Sequence, residues 1–499
     1  MTFIKKLLLC GVITSGLCLN NTFGQTSFVE DAQLFSQFRS TGSARINALG
    51  GAQMSLGGDI SNIHTNAAGL GFFRRSEFSL TPSFGANQAE SNFLGQIQDD
   101  RTPNFSLPNL SLVISRPKGE LQPGSFRGGS FGISFNRIAD FNNQFGYFSD
   151  IQNQNSLLDF YINQYTAFGE PPLGATDGLV LDIELVQGNQ ASGYIKDPIY
   201  ATGRPFADET IITEGGITQT SFSYGANFDN KLFVGAGLGI QSVSFFQNRI
   251  YGEEFFYDNG ITSSIYSIED NTRINGFGAS LNIGVIYKPI ETVNLGLNFQ
   301  SPTWYRLNKE VDANIVGEFF NQQGVVQFGG PVRENSDFFT STSNLSTPLI
   351  LSAGGTFFVG KNGFITADID YVDYSQNRIN SRDFDTSFDN SDINALLGST
   401  LNYRVGGEYR FDIWRLRAGY AYYGDPTTDE SFDRSMQRIS GGVGVKLSKM
   451  YIDFTLINST SDRIYNSYSI FNNANQNVGP FTEIRNSMTQ GMVTVGFNF

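Results

Sequence analysis

Thiols and imidazoles are nearly missing from this chain of 499 residues, which has two cysteines, Cys10 and Cys18, and one histidine, His64. Both cysteines lie within the first 24 residues, so the remainder can hold neither a disulfide framework nor a thiolate metal site. A single imidazole excludes a multi-His metal centre and leaves one candidate base for a Ser-His hydrolase. No motif calls for a cofactor. Basic charge is also short, with 33 Lys and Arg against 47 Asp and Glu and a net charge of −14. That balance speaks against nucleic acid as a partner and against a polybasic lipid-binding surface, and acidic residues in exposed loops account for it. Beyond residue 24 no apolar run approaches the roughly 20 residues of a membrane helix.

What is present points to the cell envelope. Lys5 and Lys6 precede an apolar run over residues 7–13, followed by small and polar residues to Gly24, which reads as a secretory signal peptide spanning 1–24. A lipoprotein signal on Cys18 is disfavoured by Ser15-Gly16-Leu17 before it. Loss of the signal removes two lysines and takes the net charge from −14 to −16. At the other end, residues 487–499 alternate strictly: Thr489, Gly491, Val493, Val495, Phe497 and Phe499 share one face, and Met488, Gln490, Met492, Thr494, Gly496 and Asn498 the other. A half-apolar strand ending on Phe resembles the closing strand of an outer-membrane barrel, and it would engage the barrel-assembly machinery.

Only helices and closed sheets satisfy every backbone group in lipid, so the expected fold is all-β, a transmembrane antiparallel β-barrel. The 46 Phe, 21 Tyr and 55 Gly suit aromatic girdles and tight turns. Residues 76–499 divide into about fourteen strands, at 76–84, 105–115, 129–138, 218–228, 232–246, 274–287 and 293–306, then 349–359, 364–374, 401–411, 414–423, 438–447, 451–458 and 487–499. Short connections such as Asp229-Asn230 and Asp412-Ile413 carry turn chemistry, and long ones at 139–217, 307–348 and 459–486 would be extracellular. Val293, Leu295, Leu297 and Phe299 should face lipid, with Asn294, Gly296, Asn298 and Gln300 in the lumen. Phe277, Ala279, Leu281 and Ile283 likewise oppose Gly278, Ser280, Asn282 and Gly284. A soluble sandwich also alternates, but explains neither the terminal Phe nor the asymmetry of short and long connections. Trp304 and Trp414, near opposite strand ends, read as interface anchors.

Residues 25–75 do not alternate and contain too little core to fold alone, which suits a hatch inside the barrel or, alternatively, a periplasmic tail. Here the chain resembles the outer-membrane long-chain fatty acid transporter family, the FadL-like proteins, which also include importers of aromatic hydrocarbons. The run from Gly42 through Gly50-Gly51 and Gly57-Gly58 to Asn66-Ala67-Ala68-Gly69 is similar to the family's hatch. Ala67 stands where the family usually has Pro, which removes a φ constraint. Gly284-Val285-Ile286-Tyr287-Lys288-Pro289 with Ser301-Pro302-Thr303 is similar to its central hairpin, and Gly406-Gly407-Glu408-Tyr409 with Leu416-Arg417-Ala418-Gly419-Tyr420 to a later one. The resemblance implies a fourteen-stranded, hatch-plugged monomer in the outer-membrane lipid. It would pass hydrophobic small molecules inward by loop capture, hatch gating at Asn66, Ala67, Ala68 and Gly69, and lateral exit through the wall. By the same analogy, and on glycine content, the wall gap is expected near Gly128-Gly129 on the third strand.

Other residues carry two readings. Residues 156–168 form a helix candidate within the loop 139–217, with Ser156 and Asp159 spaced as a capping box. Leu158, Tyr161, Ile162 and Tyr165 on one face would either capture an apolar ligand or pack the loop. Arg404, Glu408, Arg410, Arg415 and Arg417 are expected to point into the lumen, to grip a carboxylate head group or, as the mixed signs favour, to neutralise one another and seat the hatch. The competing functions are a general diffusion porin or structural barrel and, on His64, an outer-membrane lipid hydrolase. His64 in the hatch segment speaks against the hydrolase, whose catalytic groups belong on the wall.

Overall fold

The computed structural model describes residues 28–37, 39–119, 123–151, 155–172, 175–470 and 477–499; the expected signal peptide, 1–24, lies outside them. Fourteen antiparallel strands form a closed barrel. The first seven are β1 (Glu77–Phe93), β2 (Gln96–Pro117), β3 (Phe126–Asp140), β4 (Phe206–Phe228), β5 (Leu232–Phe256), β6 (Thr262–Ile290) and β7 (Val293–Gln300 continuing as Trp304–Phe319). The rest are β8 (Phe339–Ser346 continuing as Ile350–Val359), β9 (Gly363–Asp373), β10 (Ser399–Phe411), β11 (Trp414–Tyr423), β12 (Met436–Lys446), β13 (Met450–Asn466) and β14 (Phe481–Asn498). Closure is made by β1, which pairs with β2 on one edge and with β14 on the other. The tight turns carry the expected chemistry: Asp229 and Asn230 both have positive φ, 52° and 55°, as a two-residue hairpin turn requires.

Within the membrane band the strands are apolar outside and polar inside, as expected. Leu295, Leu297, Phe277, Leu281 and Ile283 are exposed on the outer wall, while Asn294, Asn298, Ser280 and Asn282 are buried in the lumen. On β14, Met492 and Thr494 face inward and Phe497 outward.

The expected long loops are shorter than the sequence suggests, because the strands run on beyond the membrane. Strand β6 has 29 residues, or about 95 Å at 3.3 Å per residue, against roughly 9–11 residues for a lipid crossing. In this outer region the polarity of the wall is reversed. On β7, Leu307, Val311 and Ile315 are buried inside, while Arg306 and Asn308 face out. On β6, Ile274, Ile268 and Tyr266 are buried inside, with Arg273 and Asn275 outside. Above the lipid the outer wall meets water, so the side chains exchange roles: on β6 the phase is unbroken and apolar residues move to the inward positions, whereas on β7 the interruption at 301–303 shifts the phase, so that odd positions point out through Phe299 and in from Tyr305. The result is a polar lower lumen beneath an apolar upper chamber.

The chain ahead of β1 sits inside the barrel. It comprises α1 (Phe28–Ser36), the short α2 (Ala44–Ala48) and 3₁₀ turns at Ile60–Ile63 and Ala67–Phe72. Its residues from Ser43 to Leu70 are almost all buried. Close approach to the wall depends on luminal glycines at the contact. A Cβ on Gly235 of β5 would lie 2.3 Å from the Ala67 carbonyl carbon, and one on Gly419 of β11 would lie 2.1 Å from the Gly50 nitrogen. At the outer end of the barrel, α3 (Leu157–Phe168) and α4 (Leu179–Asp182) build a lobe packed on the inward faces of the extended tips of β5, β6 and β7, and α5 (Ser387–Leu396) follows β9.

Candidate transport lumen

The floor of the lumen is an ion network. Glu408 of β10 accepts from Arg45 of α2 (3.2 Å), from Arg410 (2.7 Å) and from Arg417 of β11 (2.7 Å), and Arg417 also reaches Asp453 of β13 at 2.6 Å. Arg45 closes the circuit with Asp59 at 3.3 Å. A second cluster pairs Arg404 with Asp370 (2.7 Å) and Asp368 (3.6 Å), all fully buried. The Asp368 carboxylate also accepts from the backbone nitrogens of Gln53 (2.6 Å) and Met54 (3.0 Å). Charges this deeply buried persist only when paired and hydrogen-bonded, and here the partners belong to both the wall and the luminal segment. The structure thus brings Glu408, Arg410 and Arg417 together and sets Arg404 in a separate cluster with Asp368 and Asp370, whereas Arg415 donates to the carbonyls of Asp412 and Trp414 at the turn.

The Asn66 to Gly69 turn is held by means other than the absent proline. The Asn66 side chain accepts from Ala68 N at 3.1 Å, caps the 3₁₀ turn, and donates to the carbonyls of Met54 (2.7 Å) and Leu297 (3.3 Å). Ala67 lies against Gly225 of β4, Ala67 and Ala68 against Gly235 of β5, and Asn66 against Gly284 of β6. His64 sits in this same segment, with Nε2 at 3.3 Å from the Thr41 carbonyl and Nδ1 buried without a partner among the described residues. Burial lowers its pKa to about 4, so the ring is neutral at pH 7.

Above the floor lies a cavity whose empty space, its opening to solvent included, is about 850 Å³. Its lining is mixed, with His64, Gln219, Gln241 and Gln300 among the polar residues and Phe35, Ile138, Ile217, Tyr305, Ile350 and Val372 among the apolar ones. Arg39 also faces this space and donates to Gln37 at 2.8 Å. Although the side chain is exposed to this space, its enclosure within the barrel desolvates the guanidinium, and this and then the neighbouring Arg438 charge lower its pKa. Among the described residues Arg39 makes no ion pair, unlike Arg45, Arg404 and Arg417 below it. Sequence patterning missed Arg39 because a lone basic residue in an unpatterned segment carries no signal.

The wall beside this cavity is discontinuous. The β2–β3 ladder ends at Asn109 opposite Asn136, and residues 96–108 of β2 have no partner on that edge among the described residues. Pro108, the next residue, has no N–H to continue it. At the same level β2 bulges against β1 between Thr81 and Ser83, and β3 bulges against β4 between Arg137 and Ala139. Past Phe141 the chain turns inward, and residues 143–150 pair with β4 alone while Gly146 N donates to Asp100 at 2.7 Å. The expectation of a break near Gly128-Gly129 is therefore corrected. Gly128 has φ +126° and a bulge, but β3 stays paired there with Pro117 on one side and Asn227 on the other. Outward-facing Leu110, Phe131 and Phe135 place the observed break in the apolar band, and Ile138 and Ala139 connect it to the cavity.

In the lobe, α3 has the expected cap, with Ser156 N donating to Asp159 at 2.8 Å and the Ser156 hydroxyl accepting from Leu158 N. Leu158, Tyr161 and Tyr165 are buried among Leu179, Ile183, Tyr251 and Ile315, and Ile162 packs on their edge. The four are the lobe's core, and they offer no open apolar surface.

Residues 194–437 match the family described as outer membrane protein transport protein (OMPP1/FadL/TodX). Among solved structures, a Pseudomonas aeruginosa FadL homologue is similar at 13% identity and a TM-score of 0.54, covering 93% of this chain and 99% of that one. The P. putida toluene transporter TodX is similar at 12% identity and a TM-score of 0.51, covering 92% and 99%. At these identities the two structures establish the shared fold. No curated protein sequence matches. The matched family is one of transport proteins, and the closed barrel places this chain in the outer membrane.

Proposed function

We propose that this chain, a FadL-like β-barrel of the outer membrane, passes hydrophobic compounds inward without energy input. The observation that carries this reading is the partly apolar cavity that meets the wall break at Ile138 and Ala139. Cargo enters the upper chamber, collects in the cavity and leaves sideways into lipid between β2 and β3. A lateral route spares an alkyl chain the water-filled path, which costs about 0.8 kcal/mol per methylene. The luminal segment acts as a hatch, with the turn at Asn66, Ala67, Ala68 and Gly69 as its seat and the charges around Glu408 and Arg404 as its anchor. The helix α3 holds the lobe that frames the entrance, so Leu158, Tyr161, Ile162 and Tyr165 serve capture through that frame. Arg39 favours an acid-headed amphiphile such as a long-chain fatty acid over a neutral aromatic hydrocarbon, because it offers an unspent charge beside an apolar wall. The protein acts as a monomer, delivered to lipid by the assembly machinery through β14.

The test is uptake of a labelled long-chain fatty acid into liposomes bearing the full-length protein or a form lacking 25–75, with small-ion conductance recorded in parallel. Selective uptake with low conductance in the intact form, and high conductance in the deleted form, is expected. High conductance in both, without preference for the fatty acid, would make the protein a diffusion porin. Arg39→Gln should weaken fatty acid uptake about 10-fold and leave toluene uptake unchanged.

A further inference from the structure

We infer that the outer wall of β6 to β8 carries a docking site for a phosphorylated glycolipid of the outer leaflet. The wall there is sorted by height. On β6 the outward residues Tyr287, Ile283, Leu281 and Phe277 are exposed and apolar, a stretch as long as one lipid crossing of roughly 9–11 residues. On β7, Leu295, Leu297, Phe299 and Trp304 cover the same height. Directly above come Asn275 and Arg273 on β6 and Arg306 and Asn308 on β7, all exposed. Across the ladder Arg306 lies opposite Phe277, Asn308 opposite Asn275, and Glu310 opposite Arg273. On its other edge β7 sets Arg306 against Asn344 and Asn308 against Thr342 of β8. Asn344 in turn faces Asn380 of the short strand Arg378–Ser381, and the exposed Arg382 follows that strand. Ser381 donates to the Thr342 carbonyl at 2.7 Å and Asp383 accepts from Thr342 N at 2.7 Å, which keeps Arg382 beside β8.

Three guanidinium groups therefore share one patch at headgroup height, and among the described residues none of the three has an ion pair. Arg273 is fixed instead over the Phe246 ring of β5, 4.9 Å from its centroid. Elsewhere on the outer wall Arg485 is spent on Asp462 at 3.3 Å. Carboxylates on β6 and β7 begin higher up, where Asp312 accepts from Asn271 at 3.1 Å and Glu269 from Asn248 at 2.6 Å and Asn314 at 3.1 Å. Glu310 marks the border between the two zones. A net charge of −14 conceals this order, because it sums over a whole chain of which a lipid meets one height of the wall. Unpaired arginines beside lipid take phosphate by charge-assisted hydrogen bonds. In the ladder Arg273 and Arg306 stand four residues and one strand apart, about 14 Å between Cα atoms, a span that suits two phosphates separated by sugar. The amides of Asn275, Asn308, Asn344 and Asn380 lie among them and match sugar hydroxyls. The apolar residues below supply the acyl contact. The patch lies three strands from the break between β2 and β3, so its occupant is a ligand of the wall and not the cargo.

The test is native mass spectrometry of the full-length protein in detergent, with bisphosphorylated lipid A, its monophosphorylated form and phosphatidylglycerol as probes. One molecule of the bisphosphorylated form is expected to bind, about 5-fold more tightly than the monophosphorylated form and more tightly still than phosphatidylglycerol. Arg273→Gln, Arg306→Gln and Arg382→Gln should each raise its Kd about 5-fold, and the triple variant at least 20-fold, with Arg485→Gln unchanged. Heat-modified gel migration establishes that the barrel is closed in each variant, and the single variants carry the test if the triple one fails to fold. Wild-type affinity in the folded variants overturns the inference. Equal binding of phosphatidylglycerol, or the same loss in Arg485→Gln, overturns it too, because the wall would then be reading charge without a site.

Discussion

Asp368 does two jobs with one carboxylate, since it faces Arg404 and receives the Gln53 and Met54 nitrogens. Asp368→Ala leaves buried donors unpaired, at a cost of about 3 kcal/mol. Faster hydrogen exchange at residues 53–54 and a rise in small-ion conductance are the expected readouts. His64 predicts a pH dependence of the same seat. Its pKa is about 4 when buried, against 6.5 as the ordinary value, so between those pH values the unseated form binds the additional proton. Seating is thus fully stable above pH 6.5 and weakens as pH falls toward 4, by about 3 kcal/mol at most. Hydrogen exchange of the luminal segment should accelerate over that window, and His64→Gln should flatten the profile. A lone histidine in a sequence does not announce such a role, because what sets it is the burial supplied by residues far away in the chain.

At the scale of elements, all fourteen membrane crossings were legible, because each lipid-facing stretch alternates cleanly and most are bounded by turn residues. The outward extensions of β4 to β7 were not, and β7 shows why. Alternation continues through Leu307, Val311 and Ile315, but the apolar residues now point inward, and Arg306, Asn308 and Glu310 between them read as loop chemistry. The seat of the luminal segment was half legible: Gly235, Gly284, Gly406 and Gly419 fall on inward positions, a regularity that marks close backbone approach. Gly235→Ala and Gly419→Ala put a methyl onto main-chain atoms of the segment, and each should cost about 1–3 kcal/mol of seating and raise conductance without unfolding the barrel. Heat-modified gel migration separates those two effects. In the lobe, Asp159→Ala removes half of the α3 capping box and should destabilise that helix by about 1 kcal/mol, seen as faster proteolysis of the loop on intact cells.

For the whole molecule, the division into a polar, ion-paired floor and an apolar upper chamber was invisible in composition, because the two halves of each long strand average to an unremarkable mean hydropathy of −0.19. Averaging hides a molecule that solves two solvent problems with one wall. The contacts of the luminal segment carry a further consequence. Ala44 is held by Thr494 of β14 and Thr455 of β13, and the Glu408 network draws on β10, β11 and β13. The part of the chain synthesised first finds its partners on strands synthesised last. Until β14 meets β1, those acceptors and counter-ions are not assembled around a common space. Biogenesis must therefore keep residues 28–75 waiting in the periplasm, threaded but unseated, and the order of events along the ribosome is reversed when the barrel closes.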